Sequence, residues 1–257
     1  MKPFATGEVA HTAVTDHRIL RRPPSDHAKE TTEAMVYTPD DVVLFHRDLL
    51  TPAELPVVER DRAVLMSGSN NPALLEALAG TAQGRARGLT TLPKLEAALA
   101  AWPDDWAALE GKGSVLWMLN RTEEAAAAFE SVLARAPERE MTLDLAATLA
   151  LFANRNAAAA AYLERAVKID PRKWRFQFLL AEAHKRNKNW SAALAVGQKA
   201  AELRPASVET HTLLLIIHVA LGDQAQARKE FDTLMALDPP EAADIRRWYE
   251  KNTGKKN

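Results

Sequence analysis

Histidine is the residue type whose placement in this chain could do chemistry. Four of the seven histidines, His11, His17, His27 and His46, fall within the first 46 residues. An imidazole can carry a proton or ligate a metal near neutral pH. His184 and His218 lie 34 residues apart, and His211 and His218 lie seven apart, a spacing that puts two side chains on one helical face. No cysteine accompanies them. This excludes disulfides, thiolate metal sites, a cysteine nucleophile and thioether attachment of haem by this chain. No tight acid cluster completes a ligand set beside His184, His211 or His218, so packing is the role expected for them. The carboxylates are too evenly spread to nominate an acid/base pair. The chain has no Gly-rich phosphate loop, no G-x-S-x-G and no H-E-x-x-H. Catalysis by this chain is therefore not expected, and no metal site is either.

The elements that must position these residues follow a fixed period. Pro103, Pro137, Pro171, Pro205 and Pro239 are spaced 34 residues apart with no insertion. A period of this length marks one supersecondary unit stacked several times. The units are 72–105, 106–139, 140–173, 174–207 and 208–241, each predicted as helix, turn, helix. Their eighth residues are Ala79, Gly113, Ala147, Ala181 and Leu215, and their twentieth are Thr91, Ala125, Ala159, Ala193 and Ala227. Mostly small residues at these places let paired helices approach closely. Larger apolar residues follow four places on, at Leu95, Phe129, Leu163 and Phe231, with Gly197 as the exception. Three places further stand Ala98, Val132, Ala166, Ala200 and Leu234, on the same helical face. Proline then closes each unit, since it cannot continue a helix. Asn120, Asn154 and the Gly222-Asp223 pair mark turns between helices, and Gly84 and Gly88 are expected to loosen the turn of the first unit.

Outside the repeats, residues 1–50 read as an irregular segment punctuated by proline. Residues 51–71 read as an N-terminal capping helix and linker. The helix is placed over 52–66, with Thr51 as N-cap, Pro52 at the first helical position and Glu54 completing a capping box. Residues 242–257 read as a C-terminal capping helix and tail. The composition, 47% hydrophobic and 26% charged, is globular, and the net charge of -1 does not favour nucleic-acid binding through a basic surface. No apolar run reaches the length of a membrane span, and the first 14 residues lack the apolar core of a signal peptide.

The period, the small residues in the eighth and twentieth places, the aromatic or leucine in the twenty-fourth and the closing proline resemble the tetratricopeptide repeat. The resemblance covers roughly 72–241 and implies an all-α, right-handed α-solenoid of about five helix-turn-helix repeats. It also implies a concave face, lined by the first helix of each unit, that binds a protein or peptide. One row there is Glu76, Glu110, Asp144, Phe178 and Thr212. A second is Gly80, Ser114, Thr148, Glu182 and Ile216, and a third is Gln83, Trp117, Leu151, Lys185 and Val219. The three leading acids would suit a basic or amine-bearing partner, or would simply solvate a helix. Trp117 and Phe178 are either aromatic anchors or packing between units. Arrays that grip a chaperone's acidic tail use lysine and asparagine in the first two rows, and this chain does not. Lys185-Arg186-Asn187-Lys188 reads as a solvated basic turn.

A second resemblance lies in residues 9–23, VAHTAVTDHRILRRP. His11-Thr12, Thr15-Asp16-His17, Ile19 and Arg21-Arg22-Pro23 are similar to the block that follows the last haem-attachment motif in multihaem c-type cytochromes with C-terminal tetratricopeptide repeats. This resemblance implies that His11 or His17 is a distal axial ligand to a haem bound upstream, and that Arg21 and Arg22 pair with its propionates. The attachment motif itself is missing, so haem c would belong to a longer parent and not to this chain alone. Met1-Lys2-Pro3 would stand just after that motif. The chain is then the C-terminal piece of a longer cytochrome, the product of a late start codon, or a relic. The expected function is a non-catalytic interaction scaffold, as the repeat module of such a cytochrome or as a free-standing adaptor. The first implies an exported or periplasmic setting and the second a cytoplasmic one.

Overall fold

The computed structural model describes residues 51–254. His11, His17, Arg21 and Arg22 lie outside them. All twelve elements among the described residues are helices: α1 (Leu55–Ser67), α2 (Pro72–Leu78), α3 (Ala82–Ala101), α4 (Trp106–Met118), α5 (Thr122–Arg135), α6 (Glu140–Phe152), α7 (Asn156–Ile169), α8 (Trp174–Arg186), α9 (Trp190–Leu203), α10 (Val208–Leu221), α11 (Gln224–Ala236) and α12 (Ala242–Thr253). From α4 to α11 the helices pair as the period dictates. Each pair packs internally and onto the next, so burial is between neighbours. The prolines fall two or three residues beyond the ends of α3, α5, α7, α9 and α11.

The small-residue positions are where paired helices meet. Thr91, Ala125, Ala159, Ala193 and Ala227 are all fully buried. A Cβ at Gly113 would stand 2.5 Å from the Phe129 ring, so the twenty-fourth residue of that unit fills the space left at the eighth. Where the twenty-fourth residue is Gly197, Leu214 of the following unit supplies the bulk. The fifteenth residue of each of the last four units, Asn120, Asn154, Lys188 and Gly222, carries a positive φ of 58 to 76°. This left-handed residue turns the first helix into the second. Glycine and asparagine suit it, and lysine does not.

The first unit departs from the expected arrangement. Its first helix shrinks to the seven residues of α2, and its second grows to the twenty of α3. α3 pairs instead with α1, which also packs on α4, while α2 lies against α4 and α6. Thus α1 takes the packing place that the period assigns to α2. Gly84 and Gly88 sit inside α3 and not in a turn, and a Cβ at Gly84 would come within 2.1 Å of the Leu78 carbonyl oxygen. α1 also begins later than its capping box suggests, at Leu55, with Pro56 in its first turn. The Thr51 amide and hydroxyl both donate to the Glu54 carboxylate at 2.8 Å, so the hydroxyl is not left to cap an amide.

Asp105 ends the loop before α4 and accepts from the amides of Ala107 and Ala108 at 3.0 and 3.1 Å. Arg60 of α1 reaches the same carboxylate at 2.6 Å and ties α1 to the array. At the other end, α12 lies on α11, where Tyr249 stacks on Phe231 with 4.3 Å between ring centroids.

Candidate functional site

The face built by the first helices, α4, α6, α8 and α10, is closed over one half and open over the other. In α6 ten consecutive residues, Thr142 to Leu151, are buried. A helix buried all round has no face left for a ligand. In α4, Gly113 to Met118 are likewise buried. α2 lies against both helices. Its own Pro72, Leu75 and Leu78 are buried in the contact, and Glu76 points to solvent.

Most of the residues expected to line a peptide groove are therefore out of reach. Trp117 has 0% exposure and packs edge-on against Phe152, so it is no surface anchor. Its indole N–H has no acceptor among the described residues. Ser114 is fully buried and donates to the Glu110 carbonyl, and Thr148 is buried at 3% exposure.

The acid row is spoken for within the chain. The Glu110 carboxylate accepts from Arg139 Nε at 2.6 Å and Nη2 at 2.8 Å, and from the Thr142 hydroxyl. Asp144 accepts from Arg175 Nε at 2.9 Å, and Arg175 Nη2 reaches the Thr148 hydroxyl at 3.1 Å. The Asp144–Arg175 pair joins a first helix to the unit that follows, and Glu110–Arg139 joins the two ends of one unit. Glu110 and Asp144 thus neither solvate a helix nor await a basic partner. With Glu76 turned to solvent on α2, the three acids form no continuous row. The arginines that claim them were not legible, because Arg139 is 29 residues from Glu110 and no local pattern links them.

The open half lies over α8 and α10. Phe178, Glu182, Lys185, Thr212, Ile216 and Val219 are all half-buried there. Phe178, Ile216 and Val219 supply apolar surface. Trp174 stacks on Phe178 at 5.2 Å, and its indole N–H donates to Thr210 at 3.0 Å, which fixes the aromatic pair across the unit boundary. The Arg204 guanidinium lies over the Trp174 ring, 4.3 Å from its centroid. Glu182 binds Lys185 at 2.7 Å and Arg186 at 2.8 Å. Burial pushes the Glu182 carboxyl up, but the bonds from Lys185 and Arg186 outweigh it and hold the group below its ordinary value. Arg186 also donates to the Leu151 carbonyl at 2.9 Å, so the predicted solvated turn is partly tied to α6.

Two of the downstream histidines are buried. His211 is buried, with Nδ1 2.6 Å from Glu230 and Nε2 2.8 Å from the Pro205 carbonyl. His218 is buried with Nδ1 3.7 Å from Asp223, and His184 is half-buried. Among the described residues no three of His, Cys, Asp and Glu gather into a metal-binding cluster. No helix among them is long and apolar enough to cross a membrane.

Comparison with known proteins agrees with this architecture. Residues 92–140 and 145–208 match the tetratricopeptide repeat profile. Over 130 residues the chain is 30% identical to the Hsp70-Hsp90 organizing protein of Triticum aestivum, a match that covers 51% of this chain but only 16% of that protein. Among solved structures, MamA from Desulfovibrio magneticus RS-1 superposes with a TM-score of 0.57 at 24% identity, covering 60% of this chain and 87% of that one. YrrB, described as a tetratricopeptide protein with an unusual peptide-binding site, superposes with a TM-score of 0.61 at 17% identity, covering 76% and 94%. The fold is a helical solenoid.

Proposed function

We propose that this chain is a protein-interaction scaffold that holds a peptide segment of a partner along α8 and α10. One observation carries the reading. Phe178, Ile216 and Val219 remain half-open, while Ser114, Trp117, Thr148 and Leu151, their counterparts in α4 and α6, are closed. A partly exposed aromatic beside aliphatic residues, rimmed by Glu182 and Lys185, suits a peptide with an apolar anchor and flanking charges. The wheat relative is named as an organizer of Hsp70 and Hsp90, and YrrB is described by its peptide-binding site, so both act on other polypeptides. The partner here is not an acidic chaperone tail. The positions that would need lysine and asparagine hold Glu110, Asp144, Ser114 and Thr148, already bonded within the chain. Selection of displayed random peptides on the full chain tests the site. Enriched peptides should lose binding to Phe178→Ala/Ile216→Ser, and undiminished binding to that double variant would sink the choice of face.

A second reading rests on residues 9–23 alone: the repeats serve a multihaem cytochrome whose haem-binding part lies upstream. Among the described residues His211 is engaged on both nitrogens and His218 is buried within a helix pair. His11 or His17 would then be the axial ligand and Arg21 and Arg22 the propionate partners, the axial ligand setting the potential of the iron. In-frame Cys-x-x-Cys-His codons upstream of Met1 support this reading, and their absence removes it. Haem added to the purified chain gives a second readout, a Soret shift lost in His11→Ala or His17→Ala.

A further inference from the structure

We infer that α2 is a built-in, displaceable occupant of the closed half of the groove, and that this half takes a short leucine-bearing helix from a partner polypeptide. The inference does not depend on the open half over α8 and α10.

α2 is out of sequence register with the array. The period assigns Pro72–Leu78 the place of a first helix, yet α1 fills that place and α2 lies across α4 and α6. It is a seven-residue helix seated where a ligand helix would sit. Its buried residues are Pro72, Leu75 and Leu78, the last two one turn apart on one face. This is the anchor spacing of a helix-in-groove contact.

It is held through apolar side chains, Pro72, Leu75 and Leu78, with little main-chain bonding to the array. One main-chain bond joins its C-terminal turn to the array, from the Gly80 amide to the Met118 carbonyl at 3.2 Å. Both connections carry left-handed glycines, Gly68 at φ 67° and Gly80 at φ 72°, and a Cβ at Gly80 would meet nothing within 4 Å. Gly80 is thus a position where the backbone can re-aim the helix without disturbing a packed neighbour. α2 carries its own cap, since Asn71 accepts from the Leu74 amide at 3.1 Å, so it need not unravel on leaving.

α4, against which α2 lies, carries an unsatisfied polar group. Trp117 is completely buried, and its indole N–H has no acceptor among the described residues. A buried donor without a partner is costly. A partner helix of similar apolar face that also brings an acceptor to Trp117 would therefore compete well with α2, which is tethered but imperfect. The ligand class is a short amphipathic helix with leucines one turn apart and a polar atom for the indole.

The test uses the full chain and a fluorescein-labelled peptide of residues 70–81. In Leu75→Asn/Leu78→Asn the internal helix loses its anchors. The peptide should bind this variant about tenfold or more tightly than wild type, whose competent fraction is small. Changing the same two leucines in the peptide should abolish binding. A variant that stays folded by far-UV circular dichroism and binds no better than a scrambled peptide overturns the inference. So does a variant that dimerises through its own α2 segment and leaves the peptide unbound. Hydrogen exchange on the wild-type chain gives an answer even if the variant unfolds. Amides 73–80 should exchange through a local opening well ahead of those in α4 and α6. Exchange of all three only through global unfolding also overturns the inference.

Discussion

Arg139 grips the buried Glu110 carboxylate with two nitrogens at 2.6 and 2.8 Å, although the two residues belong to different helical layers. The same guanidinium stands 3.4 Å from the centroid of the Trp106 ring. Arg139 occupies the residue just before α6, a position that caps the helix when it is Asp105 or Ser207. Here the cap of α6 is given up for a bond to Glu110 of α4.

Stranding the Glu110 carboxylate should be expensive, because its side chain is only 4% exposed. Arg139→Met is expected to lower stability to urea by about 3 kcal/mol, the cost of leaving a buried charge without its partner. Glu110→Gln/Arg139→Met should recover more than half of that loss. A double variant as unstable as the single one would show that the ion pair is not the cause.

The turn at Lys188 offers a stabilising change. Its φ is 58°, where neighbouring units use asparagine or glycine. Lys188→Gly should raise stability by about 1 kcal/mol, the usual penalty of a left-handed residue with a side chain. Asn120→Ala should act in the opposite direction. Both are read as shifts in thermal midpoint.

Acid should loosen the N-terminal end through Asp105. Burial pushes this carboxyl up, but the hydrogen bond from Arg60, the amides of Ala108 and Ala107 and the Arg60 charge together hold it below its ordinary value. A group whose folded value is depressed contributes fully above its unfolded value, about 3.9 for aspartate. That contribution is lost as pH falls through the folded value. Wild type should therefore lose more stability than Asp105→Asn between pH 5 and pH 3. Parallel stability profiles for the two proteins over that range would contradict the assignment.

His211 is a clamp between units. Its two nitrogens contact Glu230 of α11 and the Pro205 carbonyl before α10. His211→Phe leaves both acceptors unpaired and should cost about 2 kcal/mol. Hydrogen exchange in α11 should rise while exchange in α4 stays unchanged. A uniform rise along the chain would argue for a global effect.

The sequence makes the repeats readable because their buried positions recur: Ala159 and Ala193 meet partners at the same place in each unit, so one pattern reports many contacts. α2 escapes this logic. PALLEAL has the apolar spacing of a short helix whether it packs as a first helix or lies across α4 and α6, and only the competing presence of α1 decides. The groove rows fail for the same reason. Trp117 and Lys185 share a place in the period, yet one is fully buried and the other is not. His11, His17, Arg21 and Arg22 lie outside the described residues, so their role rests on sequence alone.

The contact between α2 and α6 skips a unit. An array of repeats is ordinarily a one-dimensional chain of nearest-neighbour couplings, free to unzip one unit at a time from either end. Here a coupling between non-adjacent members closes a small ring over α2, α4 and α6. While α2 is docked, α4 and α6 should then melt together, and only after its local opening should they fray stepwise as α8 to α12 do.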